Sequence, residues 1–245
     1  MKNVFIETRN VQTFETIMGE ARQVMKGQPG LLEVTGRAGR GKTETAKRFC
    51  ARNTDVIYVS YIGTWTPMSM LRSICWEIAA VKPGRSTTAW EIISDAMAVD
   101  RKVIIIDEAD RMPPKLLNLV RDCINEVGNA FILIGEESLS GNLGRIPRMY
   151  SQIRRRVRFE PIGQPDLVQL YKQGLGVSVD PDAVAVLAKS CEGDFRPALV
   201  DAYEVERILR ENKLETVTGE VAQAAVEQRG RVKRKNSFQP ERQRP

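Results

Sequence analysis

The stretch Gly36-Arg37-Ala38-Gly39-Arg40-Gly41-Lys42-Thr43 decides how the rest of the chain is read. It satisfies the pattern G-x-x-x-x-G-K-[ST]. An apolar, β-branched run, Leu31 to Thr35, precedes it, and apolar positions at helical spacing (Ala46, Phe49, Cys50) follow it. A loop between a strand and a helix is the setting in which this pattern cradles phosphate. Glycines at 36, 39 and 41 let the backbone turn tightly, so successive N–H groups point at one anion. The positive end of the following helix adds to the attraction. Lys42 is placed to reach β- and γ-phosphates, and the Thr43 hydroxyl to hold Mg²⁺. The expected nucleotide contacts are therefore Gly36, Arg37, Ala38, Gly39, Arg40, Gly41, Lys42, Thr43 and Glu44, with ATP and Mg²⁺ as cofactors.

A second apolar run, Val103 to Ile106, ends in Asp107-Glu108. Ligands of open parallel sheets bind at the C-terminal edge of the strands, so a carboxylate there lies beside the loop. Asp107 is expected to hold Mg²⁺ together with Thr43, and Glu108 to orient and polarise the attacking water. Further strands are expected at Val56–Ser60, Ala130–Gly135 and Val157–Glu160. Helical patterns lie between them, one of them opened by Thr66-Pro67. Strands alternating with helices imply an α/β fold, a five-stranded parallel sheet covered on both faces. After Pro161 only helical patterns remain. The expected division is a lead-in and helix over 1–27, a nucleotide-binding core over 28–162, a small helical lid over 163–228 and a basic, disordered tail over 229–245.

The chain has 245 residues and no histidine, which removes Ser-His-Asp hydrolysis and H-E-x-x-H zinc chemistry together. Its four cysteines are far apart, as in a reduced, cytoplasmic protein. No apolar run is long enough to span a membrane. The net charge is +6, and seven basic residues with one acid between Arg229 and Pro245 supply all of it. Such an end either touches a polyanion or keeps the protein soluble.

The order of loop, strand-end carboxylates, fourth strand, Arg-rich segment and helical lid resembles the AAA+ ATPases over about residues 28–228. The resemblance implies three further roles. Arg196, in Gly193-Asp194-Phe195-Arg196, matches the sensor 2 arginine of the initiator-like branch, which reaches the γ-phosphate from the lid. An arginine of the 144–158 segment acts in trans on ATP held by a neighbouring subunit. Arg154 is the first choice, with Arg148 and Arg155 behind it. The family's sensor 1, usually Asn or Thr after the fourth strand, is here replaced by Gly135-Glu136-Glu137-Ser138. Either Glu136 points away from the phosphates, or turnover is slow or differently arranged. The letters Asp107-Glu108-Ala109-Asp110 match the name of a helicase family, but that family needs two recombinase-like domains and a Ser-Ala-Thr motif, which this chain lacks.

Within the superfamily the chain is similar to the transposition regulators of the MuB, TnsC and IstB kind. The features that carry this are a compact single module, two helices between the second and third strands, and Asp107-Glu108-Ala109-Asp110-Arg111-Met112. The resemblance implies an ATPase, slow and stimulated by DNA or a partner, that forms a filament or ring on double-stranded DNA. It further implies recruitment of a transposase, with hydrolysis driving release. The expected DNA contacts are Thr64, Trp65, Lys82, Arg85 and Arg145; Trp65 also suits packing at a helix start. Two alternatives share the same core: a helicase loader or replication initiator, and a scaffold in which ATP serves only as an assembly switch.

Overall fold

The computed structural model describes residues 1, 2 and 4–236, with side chains as far as residue 230. It divides into two compact units: Arg9–Glu160, and Met1–Thr8 together with the chain from Pro161 onward.

The first unit contains α1 (Arg9–Arg22), β1 (Leu31–Thr35), α2 (Lys42–Arg52), β2 (Val56–Ser60), α3 (Pro67–Ala79), α4 (Ser86–Val99) and β3 (Val103–Asp107). A 3-10 turn (Ala109–Arg111), α5 (Pro114–Val127), β4 (Phe131–Ile134), α6 (Ser138–Gly144), α7 (Pro147–Tyr150) and β5 (Ile153–Arg158) complete it. The five strands form one parallel sheet in the order β2-β3-β4-β1-β5. Neighbouring strand residues alternate between its faces. Leu31, Ile57, Ile104 and Leu133 pack under α3, α4 and α5, while Leu32, Val56, Ile105 and Ile132 pack under α1 and α2. All strands run the same way, so the ends of β1, β3 and β4 share one edge, with β4 between the other two.

Two boundaries differ from expectation. Helix α1 is not a separate lead-in but belongs to the core, because its stripe of Phe14, Ile17, Met18 and Ala21 is buried against the sheet. Each of the three large side chains contributes about 1.5–3 kcal/mol of burial. Residues 1–8 go instead with the helical unit, where Ile6 joins the core and the Lys2 N–H donates to the Gly174 carbonyl. The fifth strand starts four residues earlier than expected, because the Arg-rich segment is itself an edge strand. Between β4 and β5 lie two helices that sequence patterning did not reveal.

The second unit holds α8 (Gln164–Gly174), β6 (Ser178–Val179), α9 (Pro181–Cys191), α10 (Phe195–Asn212), β7 (Thr216–Val217) and α11 (Gly219–Asn236). It is not purely helical, since β6 and β7 pair in parallel. Asp180 stands directly before Pro181 at the start of α9, but its side chain makes no capping hydrogen bond.

Helix α11 continues through residues 229–236, so the basic stretch does not begin as a disordered tail; residues 237–245 lie outside the described residues. Arg229 shows why. Its guanidinium donates to the carbonyl and hydroxyl of Ser190 (3.0 and 2.6 Å) and pairs with the fully buried Asp201 at 3.2 Å. Removing one partner of a buried ion pair strands the other charge. Arg229→Ala is therefore expected to cost about 3 kcal/mol, read as a lowered thermal-unfolding midpoint, whereas alanine at exposed Gln228 leaves it unchanged. Among the described residues no helix is long and apolar enough to cross a membrane.

Candidate nucleotide site

The loop after β1 turns back on itself before entering α2. Gly41 sits at φ 88° as the residue before that helix, a conformation other residues adopt only with strain. Gly36 is fixed by space, because a Cβ there would lie 2.8 Å from the Phe159 carbonyl oxygen. The Lys42 ammonium, nearly buried, donates to the carbonyls of Gly36 (2.5 Å) and Arg37 (3.0 Å). Burial pulls its pKa below the ordinary lysine range. Four carboxylates oppose that pull, Glu136 most strongly, then Asp107, Asp110 and Glu108. Arg40 is buried, Thr43 partly so, and Arg37 and Glu44 are exposed.

Asp107, the last residue of β3, is 3% exposed. The Thr43 hydroxyl donates to its Oδ2 at 2.7 Å, so loop and strand-end carboxylate meet directly. Two groups that patterning did not single out complete the arrangement. The Tyr58 hydroxyl, from β2, donates to the same Oδ2 at 2.9 Å, and the Glu108 backbone N–H donates to Oδ1 at 2.8 Å. Glu108 itself stands at φ 58°, a left-handed conformation rare outside glycine, with its carboxylate exposed and 3.8 Å from Arg111. The Asp110 carboxylate accepts the Glu136 N–H at 3.2 Å. Glu136 is thus tied to the site by its backbone while its charge bears on Lys42.

Two hard oxygen donors, from Thr43 and Asp107, fit an Mg²⁺ ion. They are too few to hold it alone, and phosphate oxygens would complete the shell.

The remaining candidates are distributed elsewhere. Arg154 and Arg155 point outward from β5, where Arg154 donates to the Gln28 side chain at 3.3 Å and Arg155 pairs with Glu20 at 3.1 Å. Arg145 and Arg148 are exposed and make no side-chain hydrogen bond or ion pair among the described residues. Arg196 belongs to the helical unit, exposed in the first turn of α10, its N–H capped by the Asp194 carboxylate at 2.7 Å. Thr64, Lys82 and Arg85 are exposed. Trp65 packs on the core and stands edge-on to Tyr61, with ring centres 5.7 Å apart.

A second buried charge was also missed. Glu33, 1% exposed on the interior strand β1, accepts from Ser140 and pairs with Arg156 at 2.9 Å. Arg156 in turn stacks on Tyr150.

Residues 25–143 match the family described as AAA domain. In fold the chain is similar to the Aeropyrum pernix ORC1 protein in complex with DNA, at TM-score 0.63 and 23% identity over 95% of this chain and 67% of that one. It is likewise similar to the Thermotoga maritima RuvB Holliday junction branch migration motor, at TM-score 0.62 and 18% identity over 91% and 70%. The chain therefore shares the P-loop NTPase fold of these structures, and its residues 25–143 match an AAA domain. In sequence it resembles the Mu-like prophage FluMu DNA transposition protein B of Haemophilus influenzae, 26% identical over 77% of this chain and 67% of that protein. It also resembles a potential ATP-binding protein of Staphylococcus aureus, 29% identical over 50% of this chain and 49% of that one.

Proposed function

We propose that the chain is an ATPase that assembles on double-stranded DNA when ATP is bound and directs a transposase to target DNA, hydrolysis releasing the assembly. The proposal rests chiefly on the Thr43–Asp107 hydrogen bond, which joins the phosphate loop to the strand-end carboxylate within one unit. Similarity to the Mu-like transposition protein supports the output.

Lys42 leaves its carbonyl partners for the β- and γ-phosphates. Thr43 and Asp107 hold Mg²⁺, which when bound neutralises developing phosphate charge. Glu108, exposed and beside Asp107, orients the attacking water. Arg196 keeps the sensor 2 role that its motif implies. Transition-state charge in a neighbouring subunit is met by an arginine of the 144–158 segment. Here Arg148 ranks ahead of Arg154, because Arg154 is engaged with Gln28 and Arg148 has no side-chain partner among the described residues. Thr64, Lys82, Arg85 and Arg145 supply phosphate-backbone contacts without reading sequence. Trp65, packed on the core, shapes that loop rather than meeting DNA.

With double-stranded DNA and ATP, negative-stain microscopy is expected to show filaments or rings that are absent with ADP. No nucleotide-dependent assembly under any of these conditions sinks the proposal. A normal ATPase stimulated by a replicative helicase instead of a transposase would transfer it to the helicase-loader reading.

A further inference from the structure

We propose that Tyr58 is a positioning residue for the Asp107 carboxylate, and through it for the divalent cation that accompanies the nucleotide; this rests on the nucleotide reading above.

Three donors converge on Asp107. The Glu108 N–H holds Oδ1, while the hydroxyls of Thr43 and Tyr58 share Oδ2. They differ in what else they do. Thr43 lies on the loop that grips phosphate and is itself a candidate cation ligand, so its hydroxyl serves two masters. The Glu108 N–H is fixed by the chain turn that follows β3. Tyr58 alone comes from outside both elements.

It stands on β2, two residues before Ser60, which lies beside Asp107 in the parallel register. Its ring reaches along the edge of the sheet to the carboxylate, with the Lys47 ammonium 6.0 Å from the ring centre. Burial, and then the Asp107 charge, push the phenol's pKa above the usual tyrosine range, so it remains a donor. An aspartate with two oxygens so held presents one defined arrangement of lone pairs to a cation. Without the Tyr58 donor, Oδ2 depends on Thr43 alone, and the carboxylate can turn about its last bond when Thr43 engages the cation. A hydrogen bond to a charged, buried acceptor is among the stronger ones, and its loss is felt in full.

The test uses the whole chain and a fluorescent ATP analogue, titrated once in excess Mg²⁺ and once in EDTA. The ratio of the two affinities isolates the cation's contribution. Tyr58→Phe keeps the ring and deletes only the donor. It is expected to leave affinity in EDTA unchanged and to reduce the Mg²⁺-dependent tightening by about tenfold. In an Asp107→Asn background, where the carboxylate is already gone, the same substitution is expected to change nothing. Three results overturn the proposal: a wild-type Mg²⁺ dependence in Tyr58→Phe; an equal loss in both buffers, which marks a structural role; or additive effects in the double variant. If the wild-type chain binds the analogue in neither buffer, the nucleotide reading fails first.

Discussion

Replacing Glu108 with glutamine is expected to lower ATP hydrolysis by roughly 10²–10⁴-fold while ATP binding and ATP-dependent assembly persist. The side chain is half exposed beside the buried Asp107 and only loosely paired with Arg111 at 3.8 Å, as a group that must reach a water molecule should be. Its backbone is the less ordinary part. A non-glycine residue in the left-handed region costs about 1–3 kcal/mol and persists only where its surroundings over-determine it. Here the Glu108 N–H is held by Asp107 and its carbonyl accepts from Arg111 at 3.2 Å. Glutamine is the same size and keeps that backbone, so only the carboxylate is lost. Phosphate release against time is the measurement. If the wild-type chain releases phosphate no faster than the variant, Glu108 has no part in hydrolysis and the nucleotide serves only as an assembly switch.

The second large effect is expected from the smallest substitution. Gly135 follows β4, between the loop and Asp107. A Cβ there would stand 2.6 Å from Asp110 Oδ1 and 2.9 Å from both the Cβ and the backbone N of Asp110. The 3-10 turn that carries Asp110 follows directly from Glu108, and Asn142 also donates to the Asp110 carbonyl at 2.8 Å. Gly135→Ala must push this turn away, and Glu108 with it. Overpacking of this kind costs about 2–3 kcal/mol, or a thermal midpoint lowered by roughly 4–12 °C. Hydrolysis is expected to fall by at least about tenfold, since small misplacements of a catalytic group are expensive. Gly141, whose added Cβ meets nothing within 4 Å, is the control and is expected to tolerate alanine. A Gly135→Ala variant with wild-type stability and turnover would show that the turn is not seated on this glycine.

Much of the core was legible because its signals are local. Val103–Ile106 is a continuous apolar run, as a buried parallel strand is, Leu31–Val34 is one broken only by Glu33, and the loop motif lies between these two signals. Strand β5 was misplaced because Arg154, Arg155 and Arg156 interrupt it. An edge strand tolerates charge, and outward arginines look like a solvated segment. Helix α6 carries Gly141, Asn142 and Gly144, poor helix formers, and is held by the packing of Leu139 and Leu143. Tyr58 reads as one more aromatic strand residue until the tertiary structure sets it against Asp107. Glu33 and Asp201 are charges whose burial depends on partners far away in sequence, Arg156 and Arg229, and no spacing rule links them. The same holds for residues 1–8, whose place with the helical unit is a long-range fact.

That last arrangement bears on how the protein is made. The core, residues 9–160, is continuous and can close on itself as soon as Glu160 has been synthesised, with Asn10 clamping the Glu160 backbone through both of its amide atoms. Residues 1–8 leave the ribosome before everything they will pack against. Ile6 and its neighbours must wait until α8, α9 and α10 follow, so a segment made before the core finds its place after it. An apolar segment kept waiting in this way is where a folding chaperone, or a misplaced contact with another nascent chain, would act first.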